Sequence, residues 1–117
     1  MVMSKTIQIA QRYFDLSNTG NIDEIAQLFT DSSTYSSQNT GVFLGKEQII
    51  KMQRVFHNSH KNLNWKINSV NETSPGIVLF DFDLTGVKPS GEKFCVSGLE
   101  YVIVYNEKIQ HVEIRNK

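Results

Sequence analysis

The sequence predicts an α+β domain in which three N-terminal helices cover one face of a curved, mostly antiparallel sheet. In the first half of the chain, apolar residues recur at the spacing of helices that each bury one face. After Asn62 the pattern changes to alternation, which is typical of strands with one wet face. Helices followed by a run of strands favour a helical layer on an antiparallel sheet. The 117 residues are enough for one such domain.

Cap and turn residues set the predicted bounds of the helices. The first helix ends at Gly20, and the second begins at Asn21, with Glu24 three residues later completing a capping box. The third helix follows Gly45. The buried stripe of the second helix is predicted to comprise Ile22, Ile25, Leu28 and Phe29. That of the third helix is predicted to comprise Ile49, Met52, Val55 and Phe56.

Five strands are predicted, separated by segments rich in glycine, proline, asparagine or serine. A short strand around Thr34 and Tyr35 leads into a polar loop. The remaining four strands form a meander that begins at Leu63. They cover residues 63–68, 77–85, 92–105 and 109–115.

Charge and cysteine content exclude several functions. Twelve basic residues balance twelve acidic ones and are scattered along the chain, so no binding to nucleic acid is expected. The longest apolar run, residues 101–105, is far too short to span a bilayer, so no membrane association is expected. Cys95 is the only cysteine, which precludes an internal disulfide and suits a reducing compartment. We expect a soluble, cytoplasmic protein.

The order of elements and four short motifs carry a resemblance to a known family. The motifs are Leu-Phe-Thr-Asp at residues 28–31, Gly-Lys-Glu-Gln-Ile at 45–49, Leu-Thr-Gly at 84–86 and Glu-Lys-Ile at 107–109. With these, nearly the whole chain resembles the ketosteroid isomerase-like and SnoaL-like branches of the NTF2-like superfamily. The resemblance implies a cone-shaped domain over residues 1–117 whose sheet wraps a largely apolar pocket. It also implies a homodimer formed through the sheets.

The resemblance assigns Tyr13 and Glu100 to the pocket. Tyr13, in Arg-Tyr-Phe-Asp-Leu at residues 12–16, matches a tyrosine of the isomerases, and Glu100 matches a carboxylic acid on their penultimate strand. Both would donate hydrogen bonds to an enolate oxygen, and preorganised donors of this kind are worth roughly 3–4 kcal/mol each. Alternation alone places Leu99 inside and Glu100 outside, unless Gly98 marks a bulge that reverses the phase.

The general base of the isomerases has no counterpart at the matching position. Ser37 stands there in place of an aspartate, and a serine hydroxyl cannot act as a base near neutral pH without a base of its own. Asp83 is the alternative, because it stands eight residues before Gly91, as a pocket aspartate does in the related epoxide hydrolases. Asp81 and Ile114 occupy the positions of an arginine and a second acid in those enzymes, which counts against this alternative.

The three histidines are not predicted to form a metal site. His57 and His60 stand at the end of the third helix, where cationic side chains are favoured, so we expect solvated or capping roles. His111 lies far along the chain, and no carboxylate accompanies the three at ligand spacing. No metal and no other cofactor are expected.

These residues favour a binding protein with one small-molecule pocket. It would bind a small hydrophobic molecule that carries a carbonyl or phenol group, without isomerase turnover. One alternative is a SnoaL-like enzyme (an isomerase, cyclase, dehydratase or hydrolase) that uses Glu100 as acid or base. The other is a non-catalytic structural or assembly module. The pocket wall and its mouth are predicted to include Tyr35, Ser37, Phe56, Trp65, Phe82, Val112 and Ile114.

Overall fold

Three helices and six strands make up the computed structural model, which describes residues 4–117, so the first three residues of the expected domain lie outside it. The helices are α1 (Lys5–Thr19), α2 (Ile22–Ala26) and α3 (Gly45–Ser59). The strands are β1 (Phe29–Ser37), β2 (Gly41–Leu44), β3 (Lys61–Ser74), β4 (Ile77–Val87), β5 (Lys93–Tyr105) and β6 (Lys108–Asn116). The helices pack on a six-stranded, curved and unclosed sheet, so the predicted α+β class is confirmed.

Side-chain caps and a glycine define the ends of α1 and α2. The Ser4 hydroxyl accepts a hydrogen bond from the Ile7 N–H at 3.1 Å. Gly20 ends α1 with a φ of 71°, a left-handed conformation that glycine adopts without steric cost. The Asn21 side chain accepts a hydrogen bond from the Glu24 N–H at 3.3 Å, so the predicted cap of α2 is confirmed.

Three residues predicted on buried helical stripes lie elsewhere. Leu28 is only partly buried and lies in the turn between α2 and β1. Phe29 starts β1 instead of continuing α2, because the Leu28 carbonyl accepts a hydrogen bond from the Ile109 N–H at 2.7 Å and draws the chain into the sheet. Phe29 is nevertheless buried. In α3, Val55 is 61% exposed, because the inward face of that helix passes through Gln53 instead.

The strand order is β2-β1-β6-β5-β4-β3, and every neighbouring pair is antiparallel except β1 with β6. The loop predicted after the first strand lies at residues 38–40, but the prediction missed β2, which folds back there and pairs Ser37 with Gly41 and Tyr35 with Phe43. Residues 31–37 are rich in serine, which is not among the residues enriched in strands. Pairing of β1 with both β2 and β6 overrides that local preference.

The phase of β5 decides which of its side chains can reach the inside of the domain. Glu100 and Val102 are buried against the helices, whereas Leu99 and Tyr101 alternate with them on the outer face. The β4–β5 ladder continues past Gly98 without a register shift, so there is no bulge at that point of the ladder. Glu100 faces inward because the alternation along β5 is the reverse of the predicted one, with Leu99 on the outer face. Apolar residues stand on both faces of β5, so alternation could not distinguish them.

Gly98 allows a close approach between strands. A Cβ atom built there would stand 2.9 Å from the Arg115 carbonyl oxygen and 3.0 Å from the Phe82 ring. Phe82 is the cross-strand partner of Gly98, and Glu100 is two residues further along the same face. The missing side chain therefore leaves room for the Phe82 ring beside Glu100.

The hydrophobic core fills the space between the helices and the inner face of the sheet. The rings of Phe14 and Phe80 pack with their centroids 4.3 Å apart and join α1 to β4. The side chains with no solvent exposure at all include Ala10, Ile25, Ile49, Val78, Phe80, Val102, Ile109 and Val112.

None of the helices within residues 4–117 has both the length and the apolar character required to cross a membrane.

Candidate functional site

A cavity of about 150 Å³ lies between the helices and the inner face of the sheet. Its lining comes from α1, α3, the turn after β1 and every strand except β2. The wall is mostly apolar and aromatic. The residues singled out by the sequence that line the cavity are Tyr13, Tyr35, Ser37, Phe56, Trp65, Phe82, Glu100 and Ile114.

Two residues predicted at the site lie outside the cavity. Val112 is completely buried in the core between its strand neighbours Tyr35 and Val102, so it does not form part of the wall. Asp83 lies on the outer face of β4, where its carboxylate accepts hydrogen bonds from the Ser97 hydroxyl at 2.5 Å and the Asn68 amide at 3.2 Å. Asp83 therefore cannot replace the missing base of the cavity.

Glu100 places a carboxyl group in an apolar part of the wall. The residue is 2% exposed and stands between Phe80 and Ile114 of the neighbouring strands. No side chain or backbone group of residues 4–117 forms a hydrogen bond or ion pair with this carboxyl group. Every unexposed side-chain polar atom in the same range has a partner, so the Glu100 oxygens must border the cavity.

Burial determines the protonation state of Glu100. Removal from water disfavours the charged form and raises the pKa of Glu100 from 4.5 to about 8. At neutral pH the group is therefore mostly a neutral carboxylic acid. In that form it has one proton to donate as a hydrogen bond to a molecule in the cavity.

Tyr13 provides a second hydroxyl group at the same cavity. Its oxygen accepts a hydrogen bond from the Gln53 side-chain amide at 2.8 Å, and both residues are buried. Burial raises the pKa of Tyr13, and the nearby Tyr35 and Glu100 raise it further. Because Gln53 donates to the oxygen, the Tyr13 proton points away from Gln53.

Tyr35 extends the polar group from the sheet side. Burial raises its pKa well above the ordinary value of 10.0, and Glu100 raises it further. The Tyr13 hydroxyl lies near enough to affect the pKa of Tyr35, and both rings line the cavity. Tyr13, Tyr35 and Glu100 therefore form a cluster of neutral hydroxyl and carboxyl groups in a mostly apolar wall.

Ser37 lies at the end of β1 and lines the cavity, but its hydroxyl is already used by the turn. The Ser37 oxygen accepts a hydrogen bond from the Asn39 N–H at 3.2 Å. No base stands within hydrogen-bonding distance of it among the described residues. The group is therefore a polar part of the wall near the turn that follows β1.

An aromatic cluster beside the cavity comprises Phe56, His57, His60, Trp65 and Phe94. The His57 ring stacks on Trp65 with a centroid distance of 5.5 Å, and His60 stacks on Phe56 at 4.3 Å. His60 caps α3 as predicted, because its Nδ1 atom lies 3.1 Å from the Phe56 carbonyl oxygen. His57 instead lines the cavity, which the sequence analysis did not predict.

Other residues that line the cavity, among them Gln53, Phe94 and Val96, were not predicted from the sequence. Gln53 stands three residues before Phe56, on the same face of α3, so helical spacing could have placed it at the cavity. Phe94 and Val96 point to the same face of β5 as Glu100, so the correct inward face of β5 would have placed both at the cavity.

Within the described range, no group of three or more His, Cys, Asp or Glu side chains is arranged to hold a metal ion.

Comparisons with known proteins agree with this architecture. The sequence matches the SnoaL-like domain family over residues 10–112. No curated protein matches at a significant level. Among solved structures, the chain is similar to a proposed SnoaL-like polyketide cyclase from Shewanella putrefaciens CN-32, with a TM-score of 0.85 and 12% identity over 97% of this chain and 90% of that one.

Two further solved structures are similar. One is a hypothetical protein with a ketosteroid isomerase-like fold from Catenulispora acidiphila DSM 44928, in complex with trimethylamine (TM-score 0.83, 17% identity, 93% of this chain and 85% of that one). The other is an LEH-like epoxide hydrolase from M. tuberculosis (TM-score 0.84, 11% identity, 97% of this chain and 83% of that one). At these identities the likeness shows the fold, and the predicted resemblance is confirmed at that level.

Proposed function

Because the chain belongs to the SnoaL-like domain family, we propose that it binds a small, largely apolar molecule that carries a carbonyl or phenol oxygen. The observation that carries the proposal is the Glu100 carboxyl group, which is buried, borders the cavity and has no partner within residues 4–117. A ligand oxygen placed against it would accept its proton in a hydrogen bond. The Tyr13 hydroxyl supports the same ligand class from the facing helix.

The energetic reason for this ligand class is the hydrogen bond that a ligand oxygen can accept from Glu100. The Glu100 oxygens border the cavity and no described residue accepts the acid's proton, so a ligand oxygen can accept it in a hydrogen bond worth about 0.5–1.5 kcal/mol. The surrounding phenylalanine, tryptophan and isoleucine side chains favour an apolar ring around that oxygen. A charged or strongly polar ligand would lose its hydration without enough partners in return.

The cavity volume supports a small ligand. An engineered apolar cavity of about 150 Å³ holds one benzene molecule, which matches the volume found here. The Catenulispora acidiphila relative was solved with trimethylamine, also a small molecule. A ligand much larger than a single ring would have to extend out of the cavity or displace part of the wall.

A second candidate function is catalysis by a SnoaL-like enzyme with Glu100 as general acid. The observation that favours it is the pKa of Glu100, raised to about 8, because a general acid works best with a pKa near the operating pH. Ser37 stands where the isomerases have their base and its oxygen accepts a bond from the Asn39 N–H. We therefore do not propose steroid isomerisation through that position.

Binding can be tested with phenol and cyclohexanone as probes, by calorimetry and by thermal melting. We expect both probes to bind the wild-type protein and to raise its melting temperature. Tyr13→Phe and Glu100→Leu each remove a donor, so each should weaken binding about tenfold. Asp83→Asn changes an acid on the outer face and serves as the matched control. Equal affinities in the wild type, Tyr13→Phe and Glu100→Leu would refute the proposal.

We also propose that the outer face of the sheet pairs with a second copy of the chain. Several large apolar side chains there are only partly buried in the single chain, which supports such a contact. They are Ile77, Leu79, Leu99, Tyr101 and Ile103.

A further inference from the structure

We propose that His57 is a catalytic base of this cavity, which removes a proton from the carbon next to the carbonyl group of a bound ketone. In this step Tyr13 and Glu100 hold the carbonyl oxygen. The inference rests on the proposed binding function and adds an activity to it. His57 comes from α3, Tyr13 from α1 and Glu100 from β5, and all three side chains line the same cavity.

Packing holds the His57 ring in place and leaves its nitrogen atoms free. The His57 ring stacks on Trp65, with a centroid distance of 5.5 Å and an interplanar angle of 29°. It also packs edge to face with the Phe56 ring, with a centroid distance of 6.2 Å and an interplanar angle of 80°. Within residues 4–117 neither ring nitrogen of His57 has a hydrogen-bond partner. The neighbouring His60 differs, because its Nδ1 atom lies at hydrogen-bonding distance from the Phe56 carbonyl and the Ser59 hydroxyl.

The environment of each group suits its role at neutral pH. Burial lowers the pKa of His57, and the nearby His60 lowers it further, so the imidazole is neutral and has a free lone pair. Burial raises the pKa of Glu100 to about 8, so this acid keeps its proton. The remaining titratable side chains of the cavity wall, Tyr13 and Tyr35, also stay neutral. Environments that separate the pKa values of two groups in this way identify an acid and a base.

The chemical step requires no other reactant. A His57 ring nitrogen takes the proton from the α-carbon, and the electrons of that C–H bond form a carbon–carbon double bond. The electron pair of the carbonyl double bond moves onto the oxygen, where hydrogen bonds from Tyr13 and Glu100 stabilise the negative charge. The proton on His57 then exchanges with D₂O, and return of a deuteron from His57 to the same carbon restores the ketone with deuterium at that position.

Deuterium exchange at the α-carbons of cyclohexanone, followed by proton NMR in D₂O, tests the step. We expect the wild-type protein to accelerate exchange, and His57→Asn to lower the rate by about 100-fold, the lower range for general base catalysis. The dissociation constant for cyclohexanone is measured in the same variant, so that the exchange rates are compared at saturating ketone. His111→Asn is the matched control, because His111 bonds to Thr34 and Glu113 away from the cavity and should leave the exchange rate unchanged.

The pH profile of exchange provides a readout that does not depend on a variant. The rate should rise with pH as His57 loses its proton, with a midpoint below 6.5, and fall as Glu100 ionises near pH 8. His60→Asn removes a group that lowers the pKa of His57, so the lower midpoint should move to higher pH. A wild-type profile without the lower limb would overturn the role of His57.

The outcomes separate this inference from the binding function. If cyclohexanone binds but the wild type does not accelerate exchange, the catalytic inference is wrong and the binding function stands. The same conclusion follows if His57→Asn, shown to be folded by circular dichroism, exchanges at the wild-type rate. If cyclohexanone and phenol do not bind at all, the binding function is wrong and the inference falls with it.

Discussion

The Glu100 carboxyl group should make the protein less stable as the pH rises, and Glu100→Gln should abolish this effect. Glutamine has nearly the same shape and cannot ionise. The pKa of Glu100 is about 8 in the folded protein, against an ordinary value of 4.5 that applies to the unfolded chain. Below pH 4.5 both states carry the proton, so the group has no effect on stability there.

Between these two values the folded state binds more protons than the unfolded state, so stability falls with rising pH. Each pH unit changes the free energy of unfolding by about 1.4 kcal/mol. Over the interval from 4.5 to about 8, the expected loss is about 5 kcal/mol. Above pH 8 both states are ionised and the loss stays constant. Such a loss is a large part of the total stability of a small domain, which is about 5–15 kcal/mol.

Urea unfolding followed by circular dichroism, at steps from pH 5 to pH 8.5, measures this effect. The difference in unfolding free energy between Glu100→Gln and the wild type isolates Glu100, because the other titrating groups contribute equally to both proteins. We expect this difference to grow steadily in favour of the variant. Asp83→Asn is the control: hydrogen bonds from Ser97 and Asn68 lower the pKa of Asp83, so its difference should stay constant above pH 5. A constant difference for Glu100→Gln as well would refute the account of Glu100.

Three further substitutions test the surroundings of the site. Gln53→Leu removes the donor to Tyr13, so phenol should bind more weakly in calorimetry, and the unfolding free energy should fall by about 1 kcal/mol; unchanged affinity would contradict the positioning role of Gln53. Gly98→Ala places a Cβ atom against the Arg115 carbonyl oxygen, and urea unfolding should show a loss of about 1–3 kcal/mol, whereas full stability would contradict this close approach. Leu99→Lys puts a charge on the outer face of the sheet and should convert a dimer to a monomer in light scattering; a monomeric wild type would refute the proposed pairing.

The fold could be predicted because the spacing of apolar residues in most helices and strands indicates the element type and its buried face. The Asn21 cap and the alternation after Asn62 depend only on neighbouring residues, and the structure has both. β2 could not be predicted in the same way, because it depends on its pairing with β1. The phase of β5 was ambiguous for a related reason: Leu99 and Tyr101 are apolar residues on the face opposite Glu100.

The site was less accessible from the sequence than the fold. Tyr13 and Glu100 were found through the family resemblance, not through periodicity, and alternation alone would have turned Glu100 outward. Asp83 stands between Phe82 and Leu84, which both face inward, so alternation turns Asp83 outward, and the structure places it there. His57 was missed because its contact with the cavity depends on how the end of α3 packs against Trp65, which no local pattern encodes.

The central claim is that Glu100 is a neutral acid at the cavity wall near neutral pH. Carbon-13 NMR of protein labelled at the glutamate side-chain carboxyl carbons tests it most directly, with the Glu100 signal assigned by its absence in Glu100→Gln. We predict that this signal titrates with a midpoint near pH 8 in the free protein. A midpoint near 4.5 would mean that the group is ionised at neutral pH, and would contradict both its donor role and its role in catalysis.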